Sequence, residues 1–363
     1  MSGLPVVMCV AEKPSLAASI AGFLSDGKHR SRRGGQEVHE FERDFNGARC
    51  HFKVTAVIGH VLSIDFPSKF QSWELDPAIL FDAPVQKKEA TPKARVVEHL
   101  EREAKGASHL ILWLDCDREG ENICFEVIDA CAPVMRPNRG DKFVHRAKFS
   151  AVSKESIERA MRTLGAPNRD EALAVDARQE LDLKVGVAFT RFQTRFFQGR
   201  YSHLDASVIS YGPCQTPTLN FAVQRHLEIV SHAPEDFWSL RVDVRSAAMG
   251  RTLVTRWERE RVFDADVGEM FRSMVSGDKH ALVQSVEETE EFKRRPPGLN
   301  TVDLLKAASA GMGMGAHRAM QVAERLYIQG FISYPRTEST AYPPGFDLKG
   351  TLRAQRGHPA WGE

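Results

Sequence analysis

The sequence predicts a multidomain protein of α/β plus α and β character: a parallel-sheet domain first, then a helical stretch and a small β-rich one. Three observations carry this. Residues 6–10 and 110–114 are short runs that stay apolar throughout, the mark of strands covered on both faces, and each is followed by helical spacing. Residues 168–197 form one long helical pattern, and residues 238–244 and 251–257 alternate apolar with polar positions as half-buried strands do.

In chain order, the run at 6–10 leads through the polar turn AEKPS into LAASIAGFL, a helix for which Ser15 is the expected N-cap. A second strand is expected at 52–58, and KKEATPKARVVEHLERE offers a helix entered through Pro92. After the strand at 110–114, helical spacing starts at Asn122 with Ile123, Val127 and Ile128. KFVHRAKFS is strand-like, Ser153 caps a helix ending at Gly165, and the first domain is expected to close near residue 160. The helical segment at 161–222 carries Ala174, Ala177, Leu181, Val185, Phe189, Phe192 and Phe196 along one face, with basic residues elsewhere. Phe192, Phe196 and Phe197 are expected in the core rather than as base-stacking platforms. A β-rich segment at 223–295 follows, and 296–363 returns to helix: Asn300 caps TVDLLKAASAGMG, and HRAMQVAERLYIQG ends at Gly330, directly before FISYPRTEST.

Composition narrows the function classes. With 363 residues, 42% hydrophobic and 27% charged, the chain is of ordinary globular type and long enough for more than one core. The net charge of +1 means that affinity for a polyanion must come from local patches such as Arg30/Arg32/Arg33, Arg191/Arg195/Arg200 and Lys293/Arg294/Arg295, each of which taken alone reads as a solvated face. The six cysteines contain no Cys-x-x-Cys pair, so neither a disulfide framework nor a zinc site is expected, and they read as reduced, intracellular thiols. The opening VVMCVA is too short for a membrane span and lacks a basic leader, so no membrane association or secretion is expected.

The stretch LILWLDCDREGENICFEVI drives an apolar strand into Asp115, Asp117, Glu119 and Glu121. One or two such acids would complement a helix N-terminus. Four at alternate positions raise one another's pKa and call for a cation. Asp115, Asp117, Glu119, Gly120 and Glu126 nearly fit a calcium loop, but a strand precedes them where an EF-hand needs a helix. A Mg2+ site at the carboxyl end of a parallel strand is the favoured reading, with phosphoryl transfer as its use. Glu12 and Lys13 end the first strand, where a doubly wound sheet would bring them beside Asp115 as acid, base or positive charge. In ISYPRTES, Pro335 fixes the backbone after Tyr334, and Arg336 is an always-charged fork suited to a phosphate. A tyrosine is ionised about one part in a thousand at pH 7, so its use as a nucleophile needs about 4 kcal/mol of help from cations.

Together these motifs resemble the type IA DNA topoisomerases, on the side of the eukaryotic topoisomerase III beta branch. The matching pieces run along the whole chain: MCVAEKPSLAASIA, LWLDCDREGENICFEVIDA, EALAVDARQELDLKVG, FTRFQT, SYGPCQTPTL, LNTVDLL, MQVAERLYIQGFISYPRTES and FDLKGTLR. DCDREGE resembles the acidic triad of the Toprim fold, shared with primases and type II enzymes, whereas SYPRTES after AERLY resembles the type IA signature. The resemblance implies a Toprim-like domain followed by helical and small β-rich domains, and an ATP-independent enzyme that cuts and reseals single-stranded DNA, relaxing or decatenating it. Tyr334 would form a 5′-phosphotyrosine link and Arg336 would hold the scissile phosphate. Glu12 and Lys13 would be catalytic, Asp115, Asp117 and Glu119 would hold Mg2+, and Glu121 would support them. Arg178, Asp182, Ser210 and Gln215 would line the single-strand groove, although helix packing and turn geometry suit them equally. The absence of G-x-x-x-x-G-K-[ST] agrees with ATP independence. RNA as a second substrate, a Tudor-domain scaffold protein as partner, and residence in the nucleus with the cytoplasm as a second compartment follow from the same resemblance.

The family pattern is not matched throughout. Relatives continue well beyond Glu363 to complete a ring, and a downstream His-containing segment of theirs has no counterpart here; His358 stands in another context. Ile328 follows Tyr327 where relatives usually carry a polar residue. The expectation is therefore an incomplete ring, and the alternative function is a truncated, non-catalytic module that binds single strands without cutting them.

Overall fold

A computed structural model of the chain describes residues 3–33, 35–137, 142–342, 346–359 and 362. The chain forms two units, residues 1–213 with 296–363, and residues 214–295.

The first unit begins with β1 (Val6–Ala11), α1 (Pro14–Leu24), β2 (Arg30–Arg33), β3 (Glu37–Phe45), β4 (Ala48–Ala56), β5 (Leu62–Asp65), β6 (Gln86–Glu89), α2 (Val96–Ala104), β7 (His109–Trp113), α3 (Arg118–Cys131), β8 (Val144–Arg146), α4 (Lys154–Arg162) and α5 (Arg169–Phe197). Six strands form one sheet in the order β2-β3-β4-β1-β7-β8. β4, β1, β7 and β8 run parallel, as the apolar runs predict. β2 and β3 are antiparallel additions that the sequence reading does not contain, so the sheet is mixed. β5 and β6 form a separate antiparallel pair.

The uninterrupted apolar character of β1 and β7 has its cause in the layers around them. Val7, Cys9, Ala11, Ile111 and Trp113 face a core shared with α1 and α4. Met8, Val10, Leu110 and Leu112 face the opposite core with α2 and α3. Successive strand side chains point to opposite faces, so a strand covered on both sides stays apolar unless a polar group finds a buried partner.

Several local expectations shift. Lys13, not Ser15, is the N-cap of α1, because Pro14 lacks an N–H and starts the helix at its first position. The strand expected at 52–58 is β4, four residues earlier at its start and ending at Ala56. Pro92 opens only a short 3-10 turn; Arg95 is left-handed (φ 46°), and α2 starts after it. α3 starts at Arg118 rather than Asn122, with Asp117 as its cap. The strand-like run KFVHRAKFS contains only the three-residue β8, while Ser153 caps α4 as expected.

Asn168 caps the 29-residue α5, but its buried face is not the expected one. Ala172, Val175, Ala188, Arg191 and Thr194 are buried, whereas Leu181, Phe189, Phe192 and Phe196 are exposed, so the aromatic stripe is not core. Small residues let α5 lie close against its neighbours: Ala188 joins Phe66, Leu80 and Ala83, and the Asn122 side-chain amide donates to the Ala172 carbonyl at 2.9 Å.

The second unit contains α6 (Gln215–Val230), a two-stranded pair of β9 (Asp243–Arg245) and β10 (Thr252–Val254), and α7 (Ala265–Ser276). The alternation at 238–244 and 251–257 thus yields only two three-residue strands. The chain then re-enters the first unit with α8 (Thr301–Met312), capped by Asn300 as expected, α9 (Ala316–Ile328) and α10 (Leu348–Gln355).

Candidate active site

The site grows from the carboxyl ends of β1 and β7. Their register pairs Ala11 with Trp113, so the turns that follow them, Glu12-Lys13 and residues 115–119, start side by side. The Asp115 amide donates to Glu12 Oε2 at 3.0 Å, and Lys13 Nζ lies 3.6 Å from Asp115 Oδ2. Asp117 caps α3 by accepting from the Gly120 amide at 2.7 Å. Gly120 permits this tight turn: a Cβ there would stand 2.0 Å from the Asp115 carbonyl oxygen.

A buried ion pair fixes the turn from below. Arg146, at the end of β8 and fully buried, donates to Glu121 Oε1 at 2.9 Å and to the carbonyls of Leu114, Ala147 and Asp115 at 2.8 Å each. Glu121 Oε2 accepts from the Asn168 amide at 2.8 Å. Glu121 therefore faces away from any reacting group and holds the frame.

Two tyrosines reach the turn from the far end of the chain. Gly330 (φ 81°) ends α9 as expected, and a Cβ there would stand 2.7 Å from the Val152 carbonyl. The reversal lets the Tyr334 amide donate to the Ser150 carbonyl at 2.9 Å, and the Tyr334 hydroxyl donates to Asp117 Oδ2 at 2.5 Å. Tyr327, from the last turn of α9, donates to Asp115 Oδ1 at 3.1 Å. The two rings meet edge to face, 5.2 Å between centroids. Arg336 pairs with Glu324 of α9 and lines, together with Tyr334, Lys148 and Cys116, a cavity of about 700 Å3.

Burial dominates the electrostatics. It pushes Glu12 up to about 7, helped by the negative charge of Asp115, and pushes Asp115 upward despite Lys13. Burial and the hydrogen bond to the Asp117 carboxylate also push the Tyr334 phenol above its ordinary value, so this arrangement holds the phenol protonated.

Glu119 does not join the tyrosines. It accepts from Arg178 at 2.8 Å and lies 3.0 Å from His60 Nε2, while His60 Nδ1 lies 3.2 Å from Glu126. Glu126 is buried inside α3 and accepts from the Val61 amide at 2.7 Å, which leaves no calcium loop. Arg178 also pairs with Asp182 at 2.9 Å, one helical turn on. Ser210 is exposed in the segment after α5, and Gln215 opens α6 in the second unit. Sequence reasoning did not single out Tyr327, Arg146 or His60. The signal for Arg146 was a cation within a β-type run; Tyr327 and His60 stood in quoted or apolar stretches with nothing local to mark them.

Among the described residues, no three His, Cys, Asp or Glu side chains converge as a metal-binding group. The chemistry of the donors nevertheless fits a hard divalent cation: Glu12, Asp115 and Asp117 present carboxylate oxygens at the ends of parallel strands, and the upward shifts of Glu12 and Asp115 are a cost that a cation would offset.

The family comparisons agree with this geometry. The Toprim domain model matches residues 7–151, and a model described as DNA topoisomerase matches residues 166–362. The chain belongs to the type IA DNA topoisomerase family. It is 57% identical to DNA topoisomerase 3-beta of Arabidopsis thaliana over 100% of this chain and 42% of that protein. It is 52% identical to DNA topoisomerase 3-beta-1 of Homo sapiens, over 99% of this chain and again 42% of the relative. The chain thus spans about two fifths of the length of these relatives. Among solved structures, full-length topoisomerase I from Thermotoga maritima shares the fold, with a TM-score of 0.61 at 22% identity, covering 93% of this chain and 50% of that one.

Proposed function

We propose that this chain cleaves and reseals single-stranded DNA through a 5′-phosphotyrosine intermediate at Tyr334, without ATP. The observation that carries the reading is the 2.5 Å hydrogen bond from the Tyr334 hydroxyl to Asp117 Oδ2, which joins residues far apart in the chain. In the forward step the phenolic oxygen attacks the backbone phosphorus, the bond to the 3′ oxygen breaks, and one phosphodiester replaces another. Asp117, which accepts the hydrogen bond of the Tyr334 hydroxyl, would take the phenol proton. Glu12 or Lys13, both beside Asp115, would give a proton to the departing 3′ oxygen. Arg336 would hold the phosphate once it exchanges Glu324 for it. Mg2+, when bound by Asp115 and Asp117 with Glu119 or Glu12, would supply positive charge at the scissile phosphate.

Single-stranded RNA as a second substrate, relaxation and decatenation as the outcome, and a Tudor-domain scaffold as partner belong to this reading through the family resemblance. A second reading has its own support. Glu119 is engaged by His60 and Arg178, which suits a module that binds single strands without cutting them.

A denaturing gel with end-labelled single-stranded DNA and RNA, across a magnesium titration, separates the two. Cutting predicts a magnesium-dependent covalent band that Tyr334→Phe abolishes. Retention of the strand with no covalent band at any magnesium concentration would leave only the binding module.

A further inference from the structure

The ring of Tyr327 belongs to the core shared by α1 and α4, where a phenylalanine would pack as well. Its hydroxyl, on a residue only 2% exposed, donates instead to Asp115 Oδ1. The other oxygen of Asp115 faces Lys13 at 3.6 Å. Without Tyr327, a nearly buried carboxylate would lose its closest donor and the constraint on its rotation. The same ring forms the wall against which Tyr334 lies edge to face. Each aspartate of the acidic turn is thus held by a tyrosine hydroxyl, Asp117 by Tyr334 and Asp115 by Tyr327.

We propose that Tyr327 is a positioning residue for strand cleavage: its hydroxyl fixes the Asp115 carboxylate. The inference rests on the cleavage reading above, and it concerns the hydroxyl rather than the packing of the ring. During attack Tyr334 must leave Asp117 for phosphorus, whereas Tyr327 keeps its partner throughout.

The test is a double-mutant cycle in the 363-residue chain with Tyr327→Phe, Asp115→Ala and their combination. Two quantities are read: the rate of covalent adduct formation on a single-stranded oligodeoxynucleotide, and the affinity for Mg2+ by calorimetry. Far-ultraviolet circular dichroism serves as the fold control. Tyr327→Phe is expected to lower both by about tenfold, as loss of a hydrogen bond to a charged group implies. It is expected to leave metal-free single-strand binding unchanged and to have no further effect when Asp115 is already Ala, which offers no acceptor. A merely structural tyrosine would act equally in both backgrounds. The inference is overturned if Tyr327→Phe matches wild type in both quantities, or if it lowers them as much when Asp115 is replaced by Ala. If the wild-type chain forms no adduct, the cleavage reading fails, and the Mg2+ cycle still decides whether the Tyr327 hydroxyl fixes Asp115. If the adduct forms and Tyr327→Phe is silent, the cleavage reading stands and this inference falls.

Discussion

Arg146→Met removes the cation that holds the acidic turn while keeping an unbranched side chain through the δ position. The guanidinium is fully buried and makes four bonds of 2.8–2.9 Å, one to Glu121 and one each to the carbonyls of Leu114, Asp115 and Ala147. After substitution the Glu121 carboxylate, only 2% exposed, retains the Asn168 amide and no positive charge. Breaking a buried pair from one side costs about 3–5 kcal/mol, a large part of the roughly 5–15 kcal/mol that holds a typical domain together. The first unit should melt roughly 6–15 °C lower and lose its structure at a lower urea concentration, both read by circular dichroism. Arg146→Met/Glu121→Leu strands no charge and should be more stable than the single variant by about 1–2 kcal/mol. A single variant within about 1 kcal/mol of wild type, or a double variant less stable than the single one, would refute the argument.

Gly120→Ala places a Cβ 2.0 Å from the Asp115 carbonyl, so it should cost about 3 kcal/mol or more in a denaturant titration and displace the turn. Burial pushes Glu103 up, but Arg32 and Lys53 outweigh it and hold the carboxyl down at about 2. A depressed carboxyl contributes stability above its unfolded value near 4.5 that is lost as pH falls through about 2, so Glu103→Gln should remove about 3 kcal/mol at pH 7 and flatten the acid limb between those values. Arg178→Ala breaks two half-exposed pairs and should change stability by less than about 1 kcal/mol, while the salt dependence of single-strand binding should lose about one phosphate contact.

The parallel heart of the sheet was legible because β1 and β7 are covered on both faces and their covered residues stay apolar. β2 and β3 escaped because their composition is charged: Arg32 and Glu103 meet at the sheet surface, an ion pair that no periodicity announces. The hairpin between β3 and β4 had a local signal that went unread, Asn46-Gly47 with φ of 50° and 79°, the dipeptide that two-residue hairpins require. On α5 the aromatic stripe suggested core, but the small residues Ala172, Val175 and Ala188 turned inward, together with Arg191, which donates to the Phe70 and Ser72 carbonyls. At the site, Asp115, Asp117, Glu12, Lys13 and Tyr334 could be named from motifs because each follows a strand end or a helix cap. Tyr327, Arg146 and His60 act across long sequence separations, and only the fold brings them to their partners.

The central claim is that the Tyr334 oxygen becomes the atom joined to the cut strand. Incubating the chain with a single-stranded oligonucleotide and magnesium, trapping with denaturant, digesting the product and sequencing the peptides by mass spectrometry tests it directly. The account predicts one nucleotide-bearing peptide, with the added mass on Tyr334 and linked through the 5′ phosphate. An adduct on any other residue, Tyr327 included, or a 3′ linkage would contradict it.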